Sequence, residues 1–211
     1  MRKGVKTMQE RVARATLGRL PDYLQYVRSI ETETISATRI ANALGLGEVQ
    51  VRKDLAAVCG SGRPKIGYET AALIRDLEDM LGVRTCAGAV IIGAGKLGLA
   101  LLGYKGFKEY GIEIKAAFDK NDEKCGKGSD GLNVYPLKDC SRFCHENGIK
   151  LAILTVPASA AQETCDMLVA AGIRGILNFA PCKLKVREGV TVRQENLALS
   201  LAHLNIITDE G

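Results

Sequence analysis

Apolar residues in the first third of the chain fall at helical spacing. Leu20, Leu24, Val27 and Ile30 step along one side of a segment around Pro21-Asp22, which predicts a helix with Pro21 in its first turn. Ile35 to Gly45 reads as a second helix, with Ser36 as its N-cap and Gly45 free to take the left-handed conformation that ends it. A third helix is expected from about residue 48 to about 58, turning Val51, Leu55 and Val58 inward at i, i+4 and i+7. Leu73, Leu77, Met80 and Leu81 then share one side of a linking helix over 69–82.

The rhythm changes after Ala87. Short apolar runs at 89–92, 114–119, 151–156 and 175–179 alternate with helical stretches near 97–102, 137–147 and 158–171. That alternation predicts a parallel sheet covered on both faces, an α/β doubly wound fold. A strand-like Thr191-Val192-Arg193 precedes a last helix at about 195–204, with Leu197, Leu201 and Leu204 on one face. Three segments are therefore expected: a helical N-terminal domain over 1–82, a Rossmann domain over 83–194 and a terminal helix over 195–211.

Two helices joined by a short Gly-containing turn form a helix-turn-helix. The third helix leaves Gln50, Arg52 and Lys53 flanking or opposing its apolar stripe, with Arg and Lys suited to phosphates and Gln or Arg to base edges. The run Gly60-Ser61-Gly62-Arg63-Pro64-Lys65-Ile66-Gly67-Tyr68 is Gly-rich and basic, as expected of a wing that meets DNA. Ser36, Gln50, Arg52, Lys53, Arg63, Lys65 and Tyr68 are the candidate DNA-binding residues. Charge agrees with this placement. Residues 1–68 hold 12 Lys/Arg against 6 Asp/Glu, a net +6, and the remainder 17 against 18, a net −1.

Composition narrows the class. Hydrophobic residues make up 46% and charged residues 25%, the balance of a soluble globular protein. No stretch reaches the ~18–20 uninterrupted apolar residues of a membrane span. The basic start Met1-Arg2-Lys3-Gly4-Val5-Lys6 lacks a following apolar segment, so no secretory signal and no membrane partner are expected and the chain is placed in the cytoplasm. The cysteines at 59, 86, 125, 140, 144, 165 and 182 form no Cys-x-x-Cys pair. Cys140 and Cys144 stand one helical turn apart beside His145, but without a second pair downstream the expectation is reduced, mostly buried thiols and no metal.

The sharpest motif is Gly93-Ala94-Gly95-Lys96-Leu97-Gly98, with an apolar strand before it and a helix after it. Gly93 permits the tight turn, Gly95 lets a pyrophosphate approach the backbone at the helix N-terminus, and Gly98 lets helix and sheet close up. Asp119 ends the next strand 21 residues beyond Gly98, where a carboxylate accepts from ribose hydroxyls and repels a 2′-phosphate. NAD is thus expected over NADP, a preference that the adjoining Lys120 tempers. Thr155-Val156-Pro157 and Asn178-Phe179-Ala180-Pro181 close two further strands and are expected to line the same crevice. A dehydrogenase needs a proton donor near the nicotinamide, and the only histidines, His145 and His203, fall away from strand ends. Binding without turnover is expected. An NAD-dependent oxidoreductase with a helical appendage and a CoA- or nucleotide-binding scaffold are the competing expectations.

These residues resemble a known family. Val51-Arg52-Lys53-Asp54-Leu55, Gly67-Tyr68, Gly93 to Gly98, Tyr104-Lys105-Gly106-Phe107, Leu154 to Pro157, Ala170 to Pro181 and Glu195-Asn196 are similar, in order, to the Rex redox-sensing repressors. The resemblance implies a winged helix-turn-helix domain joined to a Rossmann domain that binds NAD+ or NADH. It also implies a homodimer that swaps its C-terminal helix and sets two recognition helices on a palindromic operator in double-stranded DNA. In that family NADH favours a closed dimer that releases DNA, and NAD+ permits binding. Three positions belong to the implied switch: Tyr104 stands as in the family, whereas Gln25 and Ala198 replace an Arg and an Asp. Gly62-Arg63-Pro64-Lys65 also departs from the family's Gly-x-Arg-Gly wing. A divergent member with a rewired switch is expected.

Overall fold

The computed structural model describes residues 12–208. The start of the chain, from which the absence of a signal was read, lies outside them. Two compact units divide the chain between Cys86 and Ala87. The division comes after residue 86 rather than 82 because residues 83–85 fold back on the preceding helix. The Val83 N–H donates to the Glu78 carbonyl at 2.9 Å, and Arg84 lies 3.5 Å from both Glu78 and Asp79.

In the first unit, α1 (Arg14–Arg28), α2 (Ala37–Leu44), α3 (Glu48–Cys59) and α4 (Thr70–Leu81) enclose Leu20, Leu24, Val27, Ile40, Val51, Leu55, Leu73 and Leu77, all buried. Helix α1 corrects the sequence reading: Pro21 stands in its middle and Ile30 beyond its Ser29 cap. The missing N–H at Pro21 costs an intrahelical bond. It is offset by what the turns before Pro21 reach, since Thr16 and Arg19 both bond to Asp54 of α3, where Tyr23 from beyond the proline joins them. The Ser36 Oγ accepts from the Arg39 N–H at 3.1 Å, and Gly45 ends α2 at φ 62°. A two-residue ladder, β1 (Thr34–Ile35) with β2 (Tyr68–Glu69), supports the wing. The wing tip closes by two bonds between Arg63 and Gly67, of 2.8 and 2.9 Å.

The second unit holds a seven-stranded sheet. In chain order its strands are β3 (Ala87–Ile92), β4 (Ile112–Asp119), β5 (Gly126–Lys127), β6 (Asn133–Pro136), β7 (Leu151–Leu154), β8 (Gly175–Asn178) and β9 (Thr191–Gln194). In space they run β5-β6-β4-β3-β7-β8-β9, and only β5 is antiparallel. Alternate residues feed two cores, as the strand period requires. Val90, Ile92, Phe118, Leu154 and Ile176 face α7 (Cys140–Glu146) and α8 (Ala158–Ala170). Ala89, Ile91, Ile114 and Ile153 face Leu102 of α5 (Lys96–Leu102) and Phe107 of α6 (Gly106–Glu109). A bulge re-phases β4: Ala89 pairs with Ile114 and Val90 with Ala116, so the skipped Lys115 points its charge to solvent.

The β5–β6 hairpin and α6 are too short to leave a periodic trace in sequence, and the helix expected over 137–147 splits into a 3-10 turn, Leu137–Asp139, followed by α7. Helix α9 (Leu197–Thr208) departs further. It exposes Leu197, Leu199, Leu201, Leu204 and Ile206 by 58–70% each, so its apolar surface is broader than one face. Among the described residues no helix is long and apolar enough to cross a membrane. The thiols are less buried than expected: Cys140, Cys144 and Cys165 are buried, Cys59, Cys125 and Cys182 partly so, and Cys86 is exposed. The Cys140 and Cys144 sulfurs lie 3.9 Å apart in the core, and no group of three metal-ligating side chains forms among the described residues.

Candidate functional site

The Gly-rich turn joins β3 to α5 at distances that only glycine permits. Gly93 has φ 101°, and a Cβ at Gly98 would sit 1.8 Å from the Gly93 carbonyl oxygen. At Gly95 the opposite holds, because nothing lies within 4 Å of an added Cβ. The turn is therefore closed against the sheet and open at one point. That opening lines a crevice of about 380 Å³ across the carboxyl ends of β3, β4 and β7. These strands bracket the place where the connections reverse direction, the usual ligand crevice of doubly wound sheets. The first-turn N–H groups of α5 have no intrahelical acceptor and are available to an anion.

Of the expected cofactor residues, Gly93, Gly95, Asp119, Lys120, Thr155, Val156 and Pro157 line this crevice. Ala94, Lys96, Leu97 and Gly98 shape the turn behind it. Asp119, expected to face a ribose, also has partners within the fold. Its Oδ2 accepts from the Ala94 N–H at 2.7 Å and from Lys124 Nζ at 3.1 Å, and its Oδ1 accepts from the Asn121 N–H at 2.9 Å. Burial pushes this carboxyl up, but the Asn121 and Ala94 amides and the Lys124 ammonium outweigh it and hold the group below its ordinary range. The charge braces the Gly-rich turn and leaves acceptor capacity on Oδ1. Lys124 and Lys120 set two cations at this end, which weakens the repulsion of a 2′-phosphate that Asp119 alone would exert.

Asn178-Phe179-Ala180-Pro181 does not line the crevice, contrary to the sequence reading. Asn178 is fully buried, with its amide bonded to the Ala180 and Cys182 carbonyls and to Gln194. Phe179 packs on the core shared with α5 and α6, Ala180 is buried, and Pro181 is exposed. The segment is a clamp at the neighbouring strand end. In its place the crevice gains Ile92, Phe118, Lys124, Leu137, Ala160 and Thr164. Lys124 sits on a turn started by Asn121, whose Oδ1 accepts from the Glu123 N–H at 3.0 Å. An Asn two residues past a strand end was the available signal for that turn.

Three basic residues of the first unit, Arg52, Arg63 and Lys65, border a second depression of about 340 Å³ together with Ser36, Thr38 and Tyr68. Arg52 pairs with Glu48 one turn earlier, and Lys53, Arg63 and Lys65 are exposed. Two of the expected contacts also serve the fold. Gln50 is exposed, and its Nε2 donates to Asp54 Oδ1 at 2.9 Å. Tyr68 lies beneath the wing at 9% exposure with its hydroxyl buried and unpartnered, because β2 pairs it with Ile35 and the Gly62 backbone covers its ring. Asp54 anchors the arrangement. Arg19 grips it at 2.7 and 2.9 Å, Tyr23 at 2.7 Å and Thr16 at 2.8 Å. Burial alone would raise this carboxyl, but Arg19, then Tyr23, Thr16 and Gln50, hold it at about 2. Burial and the facing carboxylate push the Tyr23 phenol up to about 12.

Gln25, Tyr104 and Ala198, the positions that the resemblance assigns to a switch, are all exposed. Tyr104 stacks edge-on against Phe107 at 5.2 Å, and a Cβ at Gly106 would come within 2.5 Å of its ring, so a larger residue there would require this exposed ring to move. Gln25 lies on α1 and Ala198 on α9.

Family models agree with this division. Residues 11–56 match "Putative DNA-binding protein N-terminus" and residues 87–182 match "CoA binding domain". The chain is 42% identical to the redox-sensing transcriptional repressor Rex of Treponema denticola, over 92% of this chain and 94% of that one. It is 38% identical to the Rex of Porphyromonas gingivalis, over 92% and 91%. Among solved structures it matches RSP, a Rex-family repressor, in complex with β-NAD+ and operator DNA, with TM-score 0.86, 33% identity, and 94% and 93% coverage. The RSP complex with β-NADH matches at TM-score 0.85 and 32% identity, over 94% and 95%. The chain belongs to the Rex family of redox-sensing transcriptional repressors.

Proposed function

We propose that this protein represses transcription from operator DNA in the cytoplasm, as a homodimer, and reports the NADH/NAD+ balance through the crevice of its second unit. One observation carries the reading. A glycine-framed crevice, open at Gly95, shares a chain with a winged helix that exposes Lys53, Arg63 and Lys65, in a fold that matches 94% of the chain to complexes holding β-NAD+ with operator DNA or β-NADH. The residues fit such a cofactor. The Gly93–Gly98 backbone would hold the pyrophosphate, Asp119 Oδ1 and Lys120 the adenosine end, and Thr155 to Pro157 the path toward the nicotinamide. The bound group would supply a charge difference, since its nicotinamide is positive when oxidised and neutral when reduced. The protein's task is to bind the two forms with different affinity in its two shapes, since equal affinity shifts nothing.

Dimerisation through α9 is supported by an uncovered pair of surfaces. The leucines of α9 are exposed, and a groove of about 420 Å³ over Ala89, Phe107, Ile112, Leu151, Ile153 and Leu177 is lined by no residue of α9. A helix exchanged between two copies would cover apolar surface that a single copy leaves wet. Gln25 and Ala198 remove two charged members of the family switch, so we expect NADH to release DNA less strongly than in ordinary members. The test is anisotropy of a labelled duplex from the protein's own upstream region, titrated with NAD+, NADH or neither between about 50 and 200 mM salt. Salt-sensitive binding that differs between the two cofactors is expected. Absence of DNA binding under every condition would end the reading, and release by NADH as strong as in ordinary members would end the rewiring.

A further inference from the structure

Gln194 closes β9 shortly before α9, and its side chain is half of a reciprocal amide pair. Asn178 Nδ2 donates to Gln194 Oε1 at 2.7 Å, and Gln194 Nε2 donates to the carbonyls of Ala180 at 2.9 Å and Asn178 at 3.1 Å. The Glu195 N–H adds a bond to the Asn178 carbonyl at 2.9 Å. The segment leading into α9 is therefore stapled to the turn after β8. That turn is joined in its own right to the crevice. The Phe179 N–H donates to the Leu154 carbonyl at 2.9 Å, and the next residue, Thr155, lines the crevice and places its hydroxyl 2.8 Å from the Gly93 carbonyl. On the far side, Asn196 Oδ1 caps α9 by accepting from the Leu199 N–H at 3.0 Å.

We infer that Gln194 is the positioning residue that ties the direction in which α9 leaves the sheet to the state of the crevice. The inference rests on the reading of α9 as the arm that joins two subunits. Asn178 is fully buried, and its Nδ2 shares two hydrogens among three acceptors, of which Gln194 Oε1 at 2.7 Å is nearer than the Cys182 and Ala180 carbonyls at 3.0 and 3.3 Å, so losing Gln194 exchanges the tightest of these bonds for longer ones. A displacement of the β7 and β8 strand ends must then either carry Gln194 with it or break the pair. Those are two discrete arrangements, which is what a coupled element requires. Gln194 itself is exposed on its other side, so replacing it removes bonds without opening a cavity.

Two measurements test this. The first compares wild type with Gln194→Met for NADH affinity, for dimer mass, and for the ratio of operator affinities with NAD+ and NADH. Coupling between sites commonly amounts to about 5–150-fold. In Gln194→Met we expect NADH affinity within about threefold of wild type, an intact dimer, and a cofactor ratio reduced to about twofold or less. A variant that binds NADH and keeps the wild-type ratio overturns the inference. The second uses the unmodified protein: amide hydrogen exchange over 178–182 and 194–199, with and without NADH. Coordinated changes in protection in both segments support the link, and a change in the first without the second overturns it, even if the variant fails to fold. A wild type that ignores both cofactors at the operator would sink the regulator reading instead, while exchange still decides the link.

Discussion

Asp54 is a carboxylate on the buried side of α3, between Val51 and Leu55, and four side chains converge on it. Its acidity is displaced downward, from 3.8 to about 2, so the sign of its pH effect is fixed. The ionised form is favoured in the folded state. The contribution, about 2 kcal/mol, is complete above about pH 5 and is lost as pH falls through 3.8 toward 2. Urea midpoints at about pH 6 and about pH 2.5 should fall further in wild type than in Asp54→Asn, which has no proton to gain. Asp54→Ala strands Arg19 and Tyr23 and is expected to cost about 2–4 kcal/mol at neutral pH. The glycines of the turn separate packing from binding. Gly98→Ala drives a Cβ into the Gly93 carbonyl and should destabilise by about 1–3 kcal/mol. Gly95→Ala meets nothing in the fold, so stability should stay within about 0.5 kcal/mol while NADH affinity drops about tenfold, readable by titration and thermal melting together. The packing role of Gly98 was legible from its place between strand and helix, and the open space at Gly95 agrees with the approach expected there. The Asp54 network was less so. Periodicity named Val51, Leu55 and Val58, yet an acid inside that same stripe was itself the signal, because carboxylates are buried only when paired.

Elements were legible in proportion to their length. Strands β3, β4, β7 and β8 begin or end within two residues of where their apolar runs do, since a strand buried on both faces has to be apolar throughout. The two-residue strands of the wing and of β5 leave no such trace, and α1 begins two turns before the start that Pro21 predicts, because a proline marks a first turn more often than a helix interior. Lys124 and the Asn178 clamp escaped for a related reason. Their positions depend on which turn follows a strand, and turn geometry is set by hydrogen bonds that no periodicity encodes. The wing and α3 supply the prediction at this scale. Lys53 and Arg63 project from different elements and are exposed, so each should act on a duplex as an independent charge. Lys53→Ala and Arg63→Ala should each lower the slope of log affinity against log salt by about 1, in anisotropy titrations. Gln50→Ala should instead weaken folding, since its amide is spent on Asp54. Loss of base preference without loss of stability in that variant would return Gln50 to the DNA.

For the whole molecule, the decisive feature is that the last helix carries its apolar residues outward. Leu201 and Leu204 are 70% and 58% exposed, and fully burying a leucine is worth about 1.5–3 kcal/mol. The α9 leucines have no cover from their own unit, so on the proposed reading a second copy supplies that energy, and the fold that places α9 after β9 also places Gln194 at its root. Leu201→Glu combined with Leu204→Glu should leave the stability of one subunit within about 0.5 kcal/mol, since neither side chain is packed within it. The same double variant should halve the molar mass in light scattering and, because two half-sites are then no longer read together, weaken operator binding by about 10²–10⁴-fold. NADH titrations separate the outcomes, because the Gly-framed crevice lies on β3, β4, β7 and the turns and helices that follow them, with Leu137 from the turn after β6, and no residue of α9 lines it. A monomer that still binds NADH and no longer grips the operator places dimerisation in α9, whereas a variant that remains dimeric shows that another surface joins the subunits and that these leucines serve a different contact.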